Sequence, residues 1–304
     1  MTLRIGTRAS ELAMWQARHV AAALVKAHGG LNVELVTIVT SGDKAADAAS
    51  SKAAGKGVFT KEIEEALLAG RVDLAVHSLK DLPTQLPDGL AIAAVLERED
   101  PAEALISRSG GGLAEIPQGG AVMTGSPRRS AQLLHARADL KIVPIRGNVS
   151  TRVKKFQASG ADALMLACAG LIRLGMGGMI CERLDPTVFL PACGQGALAV
   201  ETRRDDKRLT DMAGALDHAP TRISVTAERA FLAGLGGGCQ APIGAYARIE
   251  AGKLAMTVMV ASIDGKRIVR HVDSCEASIE AAGQLGQRMD RYVRDQWHGR
   301  PARE

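Results

Sequence analysis

Short apolar runs alternate with apolar positions at helical spacing along the first two thirds of the chain. Residues 33–39, 72–76 and 90–95 are rich in Val, Ile, Leu and Ala, which is typical of buried strands. Between the first strands, the apolar residues within 12–27 recur on one side of a helix, and Gly29 is placed to end it. This alternation predicts α/β layering around a mostly parallel sheet.

The same pattern continues in a second set. Thr60 can cap the second helix of the first set, and Gly70 can end that helix. Further strands are predicted over 104–107, 121–124, 141–145 and 163–168. The small residues and Pro127 that follow the second of these strands indicate a turn into a new helix. We therefore expect two α/β sets of strands and helices, one after the other along the chain.

The last third of the chain has a different pattern. A capped helix is predicted to begin at Thr221, and an amphipathic helix over 277–294. Between them, the β-type runs 254–263 and 266–272 flank Asp-Gly at 264–265, a dipeptide typical of tight hairpin turns. This part is predicted to be a small α+β region.

Composition narrows the classes of function. With 304 residues and 46% hydrophobic residues, the chain can form two or three domains with real cores. The net charge of +5 favours an anionic partner, but aromatics are 3% of residues and no long basic run occurs, which disfavours nucleic acid. The longest apolar stretch, 163–172, is too short for a membrane span, and no secretory signal begins the chain. We expect a cytoplasmic protein that binds no membrane.

Cations follow the predicted strands at several points. They are Arg8 near Ser10, Lys80 beside Asp81, Arg128 beside Arg129 after Ser126, Arg146 before Arg152, and Arg173. Taken singly, each of these cations is explained as a solvated surface charge. Ligands of α/β sheets, however, bind beyond the carboxyl ends of the strands, where all of these cations lie. Together they predict one pocket for a polyanion. Lys52 and Lys56 lie in an Ala- and Gly-rich segment that is either a solvated linker or a lid over this pocket.

Cys239 stands apart from the other cysteines because glycines and Pro242 surround it. Such a run cannot continue a helix or a central strand, so the thiol is predicted to lie on a bent, approachable loop. The five cysteines are odd in number and contain no Cys-x-x-Cys pair, so neither a disulfide framework nor a zinc or other metal site is expected.

Seven motifs in order give the chain a resemblance to a known family. They are residues 6–10 (GTRAS), 55–59 (GKGVF), 77–83 (HSLKDLP), 97–101 (EREDP), 145–149 (IRGNV) with Thr151 and Arg152, 190–197 (LPACGQGA) and 237–244 (GGCQAPIG). The chain resembles the porphobilinogen deaminases, also called hydroxymethylbilane synthases. This resemblance implies a transferase of haem and porphyrin biosynthesis. It would join four porphobilinogens head to tail, with loss of ammonia, to give the linear tetrapyrrole hydroxymethylbilane.

The resemblance also implies a cofactor and roles for individual residues. A dipyrromethane cofactor would be attached through a thioether to Cys239, and Asp81 would be the catalytic acid. The residues implied in holding the cofactor are Lys80, Asp81, Thr124, Ser126, Arg128, Arg129 and Gly170. The residues implied in binding substrate and the growing chain are Arg8, Ser10, Arg146, Arg152, Arg173, Gln195, Lys52 and Lys56. Two departures from the family pattern stand beside Ser126: Gly125, where a second hydroxyl residue is common, and Pro127, where leucine is common.

By the same resemblance, the fold is two α/β domains like those of type II periplasmic binding proteins, with a small C-terminal α+β domain. The implied boundaries are 1–96 with 197–214 for the first domain, 97–196 for the second and 215–304 for the third. A monomer is expected. A non-catalytic anion-binding module of the same architecture explains the arginines without Asp81 or Cys239, so it stays open as a second class. A nucleic-acid-binding protein is the third.

Overall fold

The computed structural model describes residues 2–43, 58–236 and 242–299. Its contacts divide the chain into two compact units. The first unit is Met1–Glu99 with Gly196–Arg222, and the second is Asp100–Gln195 with Ile223–Glu304. Within the described residues, no helix combines the length and the apolar character that crossing a bilayer requires.

The described strands form three sheets. They are β1 Thr2–Thr7, β2 Asn32–Thr37, β3 Leu74–Ser78, β4 Leu90–Val95, β5 Glu103–Ser107, β6 Ala121–Met123, β7 Lys141–Val143, β8 Ala163–Ala167, β9 Glu182–Leu184, β10 Leu198–Arg203, β11 Ile243–Glu250, β12 Lys253–Ala261 and β13 Ile268–Glu276. The helices are α1 Glu11–His28, α2 Lys61–Leu68, α3 Pro127–Ala136, α4 Val149–Gln157, α5 Cys168–Arg173, α6 Lys207–Gly214, α7 Ala219–Gly234 and α8 Ile279–Trp297. The mixed α/β class predicted from the sequence is confirmed.

The first unit is built on a sheet with the strand order β2-β1-β3-β10-β4. Strand β1 runs parallel to β2 and β3, whereas β10 runs antiparallel to β3 and β4. The apolar side of α1, with Ala17, Val20 and Leu24, packs into the core of this sheet with Ile5 and Leu74. Strand β4 therefore runs in the same direction as β1, β2 and β3, and these four strands point their carboxyl ends to one edge.

The sheet of the second unit repeats this plan. Its order is β7-β6-β8-β5-β9, with β6 parallel to β7 and β8, and β5 antiparallel to β8 and β9. Phe156 of α4 and Leu171 of α5 pack in its core against Leu164 and Leu166 of β8. Here too, four strands that run in the same direction (β6, β7, β8 and β9) end at one edge, and the antiparallel strand β5 begins there.

A three-stranded antiparallel sheet, β11-β12-β13, completes the second unit. Helix α8 packs on this sheet through Leu285 and Met289, and Phe231 of α7 lies in the same core. The predicted hairpin is confirmed between β12 and β13. Gly265 in its turn has φ +70, a backbone conformation that residues with a side chain rarely adopt.

Some sequence expectations need correction. Thr60 stands at the start of α2 but makes no capping bond to the helix backbone, because its backbone is not extended (φ −123, ψ −30). Its hydroxyl instead bonds to the side chain of Glu64. Strand β3 covers Leu74–Ser78, whereas the sequence predicted 72–76. The apolar pattern ends at Val76, but the polar residues His77 and Ser78 also belong to the strand. The pattern gave no indication of β11, which pairs along its whole length with β12.

Candidate active site

In the first unit, a pocket lies where the parallel strands end. The lining side chains come from the segment after β1, from α1, from the turn before α2, and from the end of β3 with the turn that follows it. They are Arg8, Ser10, Leu12, Ala13, Gln16, Phe59, Thr60, Val76, His77, Ser78 and Asp81. The pocket holds about 410 Å³ of space, part of it open to solvent. Three residues that the sequence singles out, Arg8, Ser10 and Asp81, are therefore brought together in one unit.

Arg8 is the cation of this pocket. Its guanidinium lies 4.2 Å from the centroid of the Phe59 ring. The Nε and Nη2 groups donate to Asp43 Oδ1 at 3.1 Å and 2.5 Å. Ser10 lies close by in sequence, where its hydroxyl accepts the Ala13 N–H at 3.4 Å and caps α1.

Asp81 is the exposed acid of the pocket. It ends a short 3₁₀ turn, Leu79–Asp81, that follows β3 directly. The turn is anchored because the Leu79 N–H donates to the Ala197 carbonyl at 3.0 Å and Leu79 is buried. Beside it, Ser78 Oγ receives a hydrogen bond of 2.8 Å from Gln16 Nε2. Half-buried Lys80 is held in the same turn.

Behind this pocket lies a buried acidic cluster. His77 Nε2 is 2.9 Å from Glu201 Oε2, and both side chains are almost fully buried. Glu64 of α2 is also buried, at 6% exposure. Burial raises the pKa of Glu64, the negative charge of Glu201 adds to the rise, and the Thr60 hydrogen bond and His77 oppose it. This interior thus holds two carboxyl groups, Glu64 and Glu201, and one histidine.

In the second unit, the predicted residues also gather at a sheet edge. Thr124 and Ser126 follow β6, Arg146 follows β7, and Gly170 lies in α5 directly after β8. Because β6 is parallel to both neighbours, these segments share one edge. Ser126 Oγ caps α3 by accepting the Arg129 N–H at 3.4 Å, and Pro127 is the first helical residue, as predicted. The positive end of this helix dipole favours an anion.

The two adjacent arginines of α3 are buried, each at 6% exposure. Both pair with the carboxylate of Glu103 on β5, Arg128 through Nη2 at 2.7 Å and Arg129 through Nη2 at 2.7 Å. Arg128 Nη1 also donates to the Leu190 carbonyl at 2.7 Å. Burial lowers the pKa of Arg128, while the charge of Glu103 opposes that effect. Two guanidiniums share one acid, so this cluster keeps an excess of positive charge.

The other predicted residues differ in how they are held. Arg152 Nε donates to the Gly147 carbonyl at 2.7 Å, Arg146 is exposed, and Arg173 is buried. Gln195 is fully buried, and its amide donates to the Pro101 carbonyl at 2.8 Å. The positions of Lys52, Lys56 and Cys239 lie outside the described residues.

Gly125 lies where a side chain has no room. A Cβ built at this residue would be 2.4 Å from the backbone oxygen of Ile145. The strand-end segments after β6 and β7 therefore approach each other closely here. Cys168 opens α5 at the same edge, but burial, with the charges of Asp100 and Glu103, raises its pKa to about 12. Its thiol is thus a poor nucleophile near neutral pH.

Comparison with known proteins agrees with the motifs. Residues 3–211 match the family model described as "Porphobilinogen deaminase, dipyromethane cofactor binding domain". Residues 222–293 match the model of the C-terminal domain of the same enzyme. The chain belongs to the porphobilinogen deaminase family. The resemblance seen in the sequence is thereby confirmed.

Curated relatives show the same likeness over nearly the whole chain. The porphobilinogen deaminase of Syntrophomonas wolfei is 47% identical over 97% of this chain and 95% of its own length. The porphobilinogen deaminase of Moorella thermoacetica is 50% identical over 92% of this chain and 90% of its own length. A solved nutrient-binding protein from Burkholderia cenocepacia aligns with 78% of this chain and 98% of its own at 13% identity and a TM-score of 0.43.

Sequence reasoning missed three residues of these edges. Glu103 is the counter-ion of both α3 arginines, Asp43 pairs with Arg8, and Gln16 holds Ser78. Nothing in the local pattern marks Glu103 or Gln16, since each contacts a partner distant in sequence. Asp43 does stand directly after Gly42 near the end of a strand, and that position could have placed it beside the other strand-end residues.

Proposed function

We propose that the chain joins four porphobilinogen molecules head to tail, with release of ammonia at each addition, and frees the product as hydroxymethylbilane. Family membership over nearly its full length supports this reaction. The observation that carries it in the structure is the pocket of the first unit. An exposed carboxylate, Asp81, and a half-buried cation, Arg8, line the same space of about 410 Å³ there.

Asp81 is the proposed catalytic residue. Loss of ammonia from the aminomethyl group of the substrate leaves positive charge spread over the pyrrole nitrogen. A carboxylate that accepts the ring N–H stabilises this charge as it develops. The same group can assist proton transfer to the leaving amine and from the new ring junction, so that a proton given up in one addition is regained in that addition. The anchored 3₁₀ turn suits this role because it fixes the backbone of Asp81 and leaves its side chain exposed.

The second unit is the proposed holder of a dipyrromethane cofactor, whose rings bear acetate and propionate groups. Its edge fits such a polyanion, because two buried guanidiniums share one carboxylate and a helix start lies beside them. When bound, the cofactor supplies the pyrrole carbon from which the chain is extended. Ser126, Thr124, Gly170, Arg128 and Arg129 would hold it with Lys80 and Asp81.

The roles proposed for the remaining residues follow the family pattern. Cys239 would carry the cofactor through a thioether. The proposed contacts for substrate and the growing chain are Arg8, Ser10, Arg146, Arg152, Arg173, Gln195, Lys52 and Lys56. Arg8 has the best support, since it lines the pocket of Asp81. Gln195 has the least, because backbone carbonyls already hold its buried amide.

We further propose that the chain acts as a monomer in the cytoplasm, with porphobilinogen as its partner and with neither nucleic acid nor membrane. It would work as three domains, 1–96 with 197–214, 97–196 and 215–304. The core that α7 and α8 form with the C-terminal sheet supports a separate third domain.

The direct test is intact-protein mass spectrometry together with turnover of porphobilinogen. The purified chain is expected to carry the mass of a dipyrromethane, and Cys239→Ser is expected to lose both the added mass and turnover. Cys275→Ser is the matched control, because this half-buried thiol has its pKa raised by burial and should leave both unchanged. A chain that binds porphobilinogen but neither carries an adduct nor releases ammonia would be the non-catalytic anion-binding module instead.

A further inference from the structure

A second carboxylate lies beside Arg8, the cation of the pocket that is proposed to bind an anionic substrate. Asp43 follows β2, and its Oδ1 accepts hydrogen bonds from Arg8 Nε at 3.1 Å and Nη2 at 2.5 Å. The two side chains are similarly shielded, with 22% and 25% exposed. An acid at this position requires an explanation, since it would repel the carboxylates of the substrate.

The geometry of the pair provides one. A guanidinium has five N–H donors in a fixed plane. Asp43 occupies the side formed by Nε and one hydrogen of Nη2. The opposite pair of donors, on Nη1 and Nη2, makes no hydrogen bond to the described residues. Such an end-on pair binds a carboxylate through two parallel hydrogen bonds.

The surroundings of Arg8 fix its orientation further. Phe59 lies against its guanidinium at 4.2 Å, and Phe59 in turn packs on Gly42, where a Cβ would come within 2.4 Å of the ring. Asp43 is itself held, because Thr40 donates to its Oδ2 from the hydroxyl at 2.7 Å and from the backbone N–H at 3.2 Å. Residues from two segments, 40–43 and the turn before α2, thus restrain one arginine side chain.

The charge of Asp43 is consistent with this arrangement. Burial alone would raise its pKa, but the hydrogen bonds from Arg8 and Thr40 outweigh burial, and the net pKa is lowered from 3.8. Asp43 therefore stays ionised at neutral pH, and the pair is lost only when the pH falls through the lowered pKa.

We propose that Asp43 is a positioning residue that holds Arg8 by one side so that the end-on donors of Arg8 bind a carboxylate of the incoming pyrrole substrate. This inference rests on the proposed function of the pocket. It predicts that Asp43 acts on substrate affinity, not on the chemical step, because it reaches the substrate only through Arg8.

The test compares two Arg–Asp pairs of the first unit. In Asp43→Asn, the KM for porphobilinogen is expected to rise about tenfold, with kcat within about twofold of the wild type, because a charged hydrogen-bond partner of Arg8 is weakened. The control is Asp73→Asn, which weakens the similar pair of Arg4 and Asp73 (Nη2–Oδ1 3.0 Å) away from the pocket. Its KM is expected to stay unchanged at a temperature where the variant is folded.

A double-mutant cycle with Arg8→Lys separates positioning from general stability. Lysine has no side-on pair of donors, so Asp43→Asn should add little to the KM of Arg8→Lys. An Asp43→Asn variant whose KM is unchanged or lower would overturn the proposal. So would a loss of kcat and melting temperature with no change in KM. Dipyrromethane loading of Asp43→Asn, measured by intact mass, should match that of the wild type. A wild-type protein that has neither the adduct nor turnover would instead refute the proposed function.

Discussion

The two α/β sheets share a plan but place opposite charges behind their functional edges. In the first unit, Asp81 and Arg8 face an open pocket, and buried Glu64 and Glu201 lie behind it with one histidine. In the second unit, the arginines themselves are buried and share the single acid Glu103. The first edge thus presents accessible groups, whereas the second presents a buried, fixed field of positive charge. This contrast suits reaction with a changing substrate at one edge and retention of a permanent anion at the other.

The largest expected effect concerns the counter-ion of the second edge. Glu103→Gln would leave two buried guanidiniums without a compensating charge, which costs about 3–5 kcal/mol in comparable buried pairs. Urea unfolding should show this loss, whereas Asp43→Asn in the first unit should cost only about 1 kcal/mol because its pair is partly exposed. Equal losses for the two variants would remove the distinction between the edges.

The next effect tests how closely the strand ends of the second unit approach each other. Gly125→Ser places a Cβ 2.4 Å from the Ile145 oxygen, so the backbone must shift, at a cost of about 1–3 kcal/mol. Gly160→Ser, where a Cβ meets nothing within 4 Å, should stay within about 0.5 kcal/mol of the wild type. If both variants melt at the wild-type temperature, the approach of these segments is not tight.

The smallest effect concerns the acids behind the first edge. The raised pKa of Glu64 means that the folded state holds a proton that the unfolded state releases, so stability falls as the pH rises from the unfolded pKa near 4.5. Glu64→Gln should therefore raise the free energy of unfolding by about 1 kcal/mol at pH 8, which is a shift of about 2–4 °C in melting temperature. Near pH 4, the substitution should leave the free energy of unfolding unchanged.

Exposed Glu65 on the same helix provides the control for this prediction. Glu65→Gln should change the melting temperature equally little at both pH values. A Glu64→Gln variant without a gain at pH 8 would show that the acidic cluster carries no penalty.

Periodicity and motifs predicted most of the strands and helices, because each depends on local pattern, but they did not indicate β9, β10 or β11. They also placed Arg8, Asp81, Ser126 and Arg129 at strand ends, which the parallel pairing then brings to common edges. The pairing of Glu103 with the α3 arginines could not be predicted, because it joins a strand to a helix over a long sequence distance. Glu103 and Arg129 are 26 positions apart. Burial of those arginines depends on the same packing.

Whether the two edges have different tasks can be tested in one experiment. Intact mass and porphobilinogen turnover are measured side by side for Asp81→Asn and Arg129→Gln, with folding checked by circular dichroism. We expect Asp81→Asn to keep the dipyrromethane mass and to lose about 10²–10⁴-fold in turnover, the range of a positioned acid, and folded Arg129→Gln to lack the added mass. Near-normal turnover in Asp81→Asn, or full loading in Arg129→Gln, would show that the edges do not divide these tasks.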